Sequence, residues 1–151
     1  MQATPGATGM GTTIVGITLT NHCLLVFNVG DSRAYLHSPS SLIQLSVDDV
    51  PPITIGASRR RTSHAITQAL GGGDRRTPVK PLISMMPNLA RRETILLCSD
   101  GLTDMLDDNA ICDVLDQYDD LYASVNELNR LAMRAGGRDN ISIVAARLFP
   151  N

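Results

Sequence analysis

Thr94-Ile95-Leu96-Leu97-Cys98-Ser99-Asp100-Gly101-Leu102 is the stretch that decides the fold. Ile95 to Cys98 form an apolar run that ends abruptly at an acid and a glycine. A run of about 4–8 apolar residues closed by a turn signal has the form of a fully buried strand. Gly101 lets the backbone turn sharply at once. Asp100 then stands at the end of a rigid element, at a mouth, with low-dielectric walls behind it. A carboxylate so placed needs a partner. Two readings are open: it caps the helix that follows, or it binds a divalent cation.

Working outward toward the C-terminus, Asp107 or Asp108 caps a helix reaching about Gln117. A second helix runs from about Asp120 to Ala135. Its apolar residues Val125, Leu128, Leu131, Ala132 and Ala135 recur at spacings of three and four, so one face packs on a sheet. Gly136-Gly137 stops it. Asp139-Asn140 follows, and Ile141 to Leu148 reads as the last buried strand. Toward the N-terminus, Asn88 to Arg92 is a turn, and Val79 to Met85 is an edge strand despite Pro81.

The first half of the chain alternates in the same way. Met1 to Gly11 is loop. Thr12 to Thr20 is a strand of high β-propensity with apolar residues on both faces, expected to be central. Asn21-His22 turns into Cys23 to Val29, which makes a hairpin. Gly30-Asp31 breaks that strand. Arg33 to His37 and Leu42 to Ser46 are further strands about a Ser38–Ser41 turn. Val47 to Thr62, with Arg59-Arg60-Arg61, is surface loop. Ser63 to Leu70 is expected to be a short helix ending at Gly71-Gly72-Gly73.

With 151 residues, 43% apolar and 19% charged, the chain reads as one soluble globular domain spanning residues 1–151. A net charge of −2, no Trp and 3% aromatics argue against nucleic-acid binding. No apolar run is long enough for a membrane span, and no signal peptide opens the chain. Cys23, Cys98 and Cys112 lack metal-type spacing. They read as reduced, buried small hydrophobes of a cytoplasmic protein.

Three acids share a setting. Asp31 and Asp100 follow the ends of buried strands, and Asp139 precedes one. If the last strand runs antiparallel to Ile95–Ser99, all three carboxylates meet on one rim. They would repel unless cations lay between them. Oxygen ligands select Mg²⁺ or Mn²⁺ over zinc. The alternative is that each acid serves its own turn.

Gly11-Thr12-Thr13, Val29-Gly30-Asp31-Ser32-Arg33-Ala34-Tyr35-Leu36, Ile66-Thr67-Gln68-Ala69-Leu70-Gly71, Leu97-Cys98-Ser99-Asp100-Gly101-Leu102 and Gly137-Arg138-Asp139-Asn140-Ile141-Ser142 occur in this order. Together they resemble the metal-dependent serine/threonine protein phosphatases of the protein phosphatase 2C type, the PPM family. The resemblance implies an α+β fold, an αββα sandwich of two packed antiparallel sheets flanked by helices. It implies hydrolysis of phosphoserine and phosphothreonine in proteins by a metal-activated water, with two to three Mg²⁺ or Mn²⁺ ions in the complete domain. Asp100 and Asp139 would hold one ion of a bimetal centre, and Asp31 with Asp100 a third, more labile one. Substrates would be phosphoproteins, with a cognate kinase or its substrates as partners.

The chain also departs from that pattern. The Arg-x-x-Asn-Glu-Asp and Asp-Gly-His-Gly segments of the family, which supply a phosphate-binding Arg and a bridging Asp, do not occur. The loop between Ser46 and His64 is shorter than the usual flap, and Asp48-Asp49 stands where the family commonly has Asp-His. The expectation is therefore the C-terminal portion of an N-terminally truncated catalytic domain, weak or inactive alone. It would be prone to self-association through exposed strands. The alternative is a noncatalytic regulatory or binding module that keeps the fold.

Overall fold

The computed structural model describes residues 9–20, 23–51, 65–72, 78–87 and 93–147. The elements are β1 (Gly11–Thr12), β2 (Ile14–Leu19), β3 (Cys23–Val29), β4 (Arg33–Ser38), β5 (Ser41–Gln44), β6 (Leu70–Gly71), β7 (Leu82–Pro87), β8 (Thr94–Cys98), α1 (Asp100–Thr103), α2 (Asp108–Gln117), α3 (Leu121–Arg134) and β9 (Ile143–Arg147). Two principal sheets form, in the orders β2-β3-β7 and β5-β4-β8-β9, and β1 pairs with β6. Every pairing is antiparallel.

The period-2 alternation of the strands sorts their side chains between two cores. From β8, Ile95 faces the other sheet, whereas Leu96 and Cys98 face the helices. From β4, Ala34 and Leu36 turn to the inter-sheet core and Tyr35 to the helices. Leu24 and Val26 of β3 close the inter-sheet core, with Val15, Ile17 and Met86 against it. On the other side, Leu102, Ile111, Val114, Leu115, Leu128 and Ala132 lay the apolar faces of the helices on the four-stranded sheet. The expected sandwich of packed antiparallel sheets is present, and the described helices all lie against the four-stranded sheet. Asp107 caps α2, accepting from the Ala110 N–H at 2.8 Å, and Asp120 caps α3, accepting from Ala123 at 3.0 Å.

Several expectations need correction. Residues 65–69 form no helix and bend at Thr67, Leu70 begins β6, and the proposed cap Ser63 lies outside the described residues. The Thr67 N–H donates to the Asp49 carbonyl, Gln68 bonds Asp49 and both backbone groups of Lys80, and Leu70 pairs with Thr12. The Thr67 amide and the Leu70 backbone are thus paired with distant segments rather than along a helix, and the Gln68 side chain holds the segment to Asp49 and Lys80. The first long strand, β2, is an edge strand, and β3 is the centre of its sheet. The last strand, β9, is likewise an edge and only half buried. Cys98 is buried, but Cys23 and Cys112 are partly exposed. The turns expected at Asn21-His22 and Asn88 to Arg92 lie outside the described residues, as does the loop from 52 to 64 with its three arginines.

Candidate metal centre

The rim of the four-stranded sheet is built where β8 stops. Ser99 leaves the strand, and Asp100 opens α1. Ser99 occupies the cap position but makes no side-chain bond to the helix. Its hydroxyl reaches across the sheet instead, donating to the Asn140 carbonyl at 3.1 Å and accepting from the Ser142 N–H at 3.0 Å. The Ser99 N–H donates to the Ser142 carbonyl at 3.0 Å. This clasp draws the segment before β9 against the end of β8, and Asp139 comes with it. Gly101 makes the approach possible, since a Cβ there would lie 2.4 Å from the Asn140 carbonyl oxygen.

Asp31 arrives from the β3–β4 junction. Gly30 has φ +103°, and a Cβ on it would lie 2.3 Å from Thr13 Cγ2, so the turn requires glycine. Asp49 Oδ2 accepts the Gly30 N–H at 2.8 Å, and the Asp49 N–H donates to the Gly30 carbonyl at 2.9 Å. Thr13 and Ser32 share a hydroxyl bond of 2.8 Å. Arg33, two residues on, forms a bidentate pair with Asp48, and its Nη1 donates to the Tyr35 hydroxyl. Tyr35 in turn donates to Asp108 of α2. So the loop carrying Asp31 is tied to Asp49, to Thr13 and, through Arg33 and Tyr35, to helix α2. Asp31 itself is 5% exposed.

The electrostatics join these pieces. Burial first, then the negative charges of Asp31, Asp104 and Asp139, holds the Asp100 carboxyl above its ordinary value, while the Gly101 N–H pulls the other way. Asp100 therefore feels both of the other acids singled out from the sequence. Asp104, not singled out, belongs to the same field. It follows Asp100 by four residues, the spacing that puts two residues on one side of a helical turn. Asp139 is exposed, and its Oδ1 accepts the Asn140 N–H at 2.7 Å. An open cleft of about 380 Å³ beside it is lined by Asn129, Met133 and residues 137–141. Asp48 and Asp49, noticed in the sequence only as a departure, turn out to brace the Asp31 loop.

Mutually repelling carboxylates with oxygen donors alone suit a hard divalent cation, which relieves the repulsion and takes oxygen ligands. Asp31, Asp100 and Asp139 are the residues that would hold it.

No family model matches the chain. Curated relatives and solved structures do. The chain is 35% identical to the serine/threonine protein phosphatase PstP of Mycobacterium tuberculosis over 97% of its own length and 29% of that protein. It is 29% identical to probable protein phosphatase 2C 41 of Oryza sativa, over 92% of itself and 55% of the relative. A crystal structure of the mycobacterial PstP superposes with a TM-score of 0.81 at 34% identity, covering 95% of this chain and 63% of that one. A second, of its catalytic domain in complex with two manganese ions, gives 0.76 at 34% identity, covering 92% and 59%. The chain thus spans less than two thirds of the relatives it matches. By motif order, sequence identity and sheet architecture, the chain belongs to the metal-dependent protein phosphatases of the 2C type.

Proposed function

We propose that this chain forms part of a metal-dependent protein serine/threonine phosphatase, with Asp31, Asp100 and Asp139 as ligands to Mg²⁺ or Mn²⁺. The observation that carries the reading is the pair of Ser99 hydroxyl bonds to Asn140 and Ser142, which draw the segment after Asp139 against the strand end that bears Asp100; burial, with the charges of Asp31, Asp104 and Asp139, raises the Asp100 carboxyl there. The manganese ions in the related PstP catalytic domain support the choice of cation. A bound divalent ion supplies activation of water and neutralisation of phosphoryl charge. The chain's own part is placement. The Ser99 clasp holds the segment that follows Asp139 against the end of β8, and the Asp49 brace holds the Asp31 loop. Phosphoserine and phosphothreonine proteins are the substrates, and a cognate kinase the natural antagonist. Three cysteines without a disulfide fit work in the cytoplasm. No described helix is long and apolar enough to cross a membrane.

Thermal melts with and without millimolar Mn²⁺ test the centre. A ligand at 100 times its dissociation constant stabilises the folded state by about 2.7 kcal/mol. The expected result is a metal-dependent rise in Tm that Asp100→Asn and Asp139→Asn each reduce. Equal melting of wild type and both variants under all conditions overturns the site. A phosphothreonine peptide assay on the chain, beside a form extended upstream, then separates catalysis from binding. Metal binding with no turnover in either form favours the noncatalytic module.

A further inference from the structure

A second cluster of ligating side chains lies away from the acidic rim, at the opposite end of β4. There His37 points toward the helices, as Tyr35 does two residues earlier. Its imidazole is 3% exposed, and Nε2 lies 3.1 Å from Asp116 Oδ1. Asp116 and Cys112 stand four residues apart on α2, so their side chains share one face. Cys112 Sγ lies 3.9 Å from Asp116 Oδ2. One nitrogen, one sulfur and one carboxylate oxygen thus fall within 4.8 Å of one another.

We propose that His37, Cys112 and Asp116 form a binding site for a borderline transition-metal ion, Zn²⁺ or Co²⁺. Three features support it. First, the donor set is mixed N, S and O, which suits zinc and discriminates against the Mg²⁺ and Mn²⁺ of the acidic rim. Second, the spacing is right. Zinc bonds of about 2.0–2.3 Å in a tetrahedron put neighbouring donors about 3.3–3.8 Å apart, which small side-chain adjustments reach from the separations seen. Third, the site is oriented. The Ser40 N–H donates to both oxygens of Asp116 at 3.1 and 3.0 Å, from a turn in which Ser40 has φ 61°. Such a bond from outside the ligand set fixes the carboxylate and lowers the cost of assembly. The buried His37 ring has no hydrogen-bond partner at Nδ1 among the described residues, so its polar contact is the one made toward this cluster. Cys112 is partly and Asp116 largely exposed, which leaves a path from solvent and an open fourth position. On binding, the Cys112 thiol gives its proton to solvent and the thiolate coordinates the ion.

The test is Co²⁺ and Zn²⁺ titration of the full chain in excess Mg²⁺, followed by absorption and calorimetry. Asp100→Asn serves as the background, which weakens the acidic rim. One equivalent of Co²⁺ with a thiolate charge-transfer band is expected. Cys112→Ser should abolish that band and weaken Zn²⁺ binding on the order of tenfold or more. Asp116→Asn, which keeps an acceptor for Ser40, should weaken binding while leaving the fold intact by circular dichroism. Absence of the band in wild type, or Zn²⁺ affinity unchanged in Cys112→Ser, overturns the site and leaves a His–Asp contact that only pins the hairpin to α2.

Discussion

At the scale of single residues, two positions make opposing demands that magnitudes can settle. Gly101 lies in a helical turn, where replacement by Ala should add up to about 1 kcal/mol from propensity alone. Its Cβ would stand 2.4 Å from a backbone oxygen, which is fixed by the Ser99 clasp. Overpacking of that kind costs about 1–3 kcal/mol, so the clash wins. Gly101→Ala should lower stability in urea and blunt the response to Mn²⁺. A stabilised Gly101→Ala would show that the rim yields to the added methyl group. Cys98 gives a pH prediction. Burial pushes its thiol from 9.0 up to about 12, with the nearby Arg33 pulling it back only in part. The raised value means that the fold favours the protonated thiol. The resulting stability is full below about pH 9 and lost as pH rises toward 12. Urea midpoints between pH 8 and 10.5 should fall more steeply for the wild type than for Cys98→Ala. Under native conditions a thiol reagent should modify Cys112 well before Cys98. Asp31, Asp100 and Asp139 could be singled out because each sits beside a strand end or glycine in the sequence, whereas Asp104 follows a helical turn and could not. Asp49 was not, because its partners, Gly30 and Gln68, are each 19 residues away and nothing local marks them. Cys112 was misjudged for the same reason. Its neighbour His37 comes from strand β4, far from helix α2 in the sequence, so no spacing in the sequence could reveal the pair.

At the scale of elements, hydrophobic period did most of the work. β3 and β8 lie where continuous apolar runs put them, β4 where the break at Gly30-Asp31 put it, α2 where its Asp cap put it and α3 where three-four spacing put it. The misreadings share a cause. Residues 65–70 carry helix-compatible side chains, and tertiary bonds to Asp49, Lys80 and β1 override a weak local preference. Whether β2 is central or an edge depends on which strands arrive beside it, and its own residues do not specify that. The Ser99 clasp is where β8 and β9 are held together beyond their ladder, and it supports a prediction. Ser99→Ala removes two bonds of the hydroxyl, each worth about 1 kcal/mol net. The ladder from Cys98–Ile143 to Thr94–Arg147 remains. Hydrogen exchange should therefore quicken at the Ser142 amide while Ala145 and Leu96 stay protected. Uniform loss of protection along β9 would mean that the clasp holds the strand itself.

At the scale of the whole molecule, the two faces of the three-stranded sheet differ sharply. One is sealed by the four-stranded sheet. The other carries Leu25 and Phe27 beside Met85 and Ile83, and these last two are 74% and 66% exposed. Phe27 folds its ring over Gly16 on this face. A patch of this kind on a monomer marks an interface or an aggregation hazard. The chain should associate with itself at micromolar concentrations, and Ile83→Lys with Met85→Lys should shift it toward monomer in sedimentation. A wild-type chain that stays monomeric at high concentration would contradict this. The Ser99 clasp, finally, imposes an order in time. It joins positions 41 and 43 residues apart, with α1, α2 and α3 lying between. Helices close on local contacts quickly, whereas distant pairings wait for the loop between them to be ordered. Synthesis proceeds from the N-terminus, so Asp31 and Asp100 exist long before Asp139. The corner that carries Asp31, Asp100 and Asp139 is thus assembled late, and if the proposed site is correct its affinity for metal will report that the final strand has docked. A chain shortened to end at Gly137 should keep its helical circular dichroism yet show a much smaller rise in Tm with manganese than the full chain.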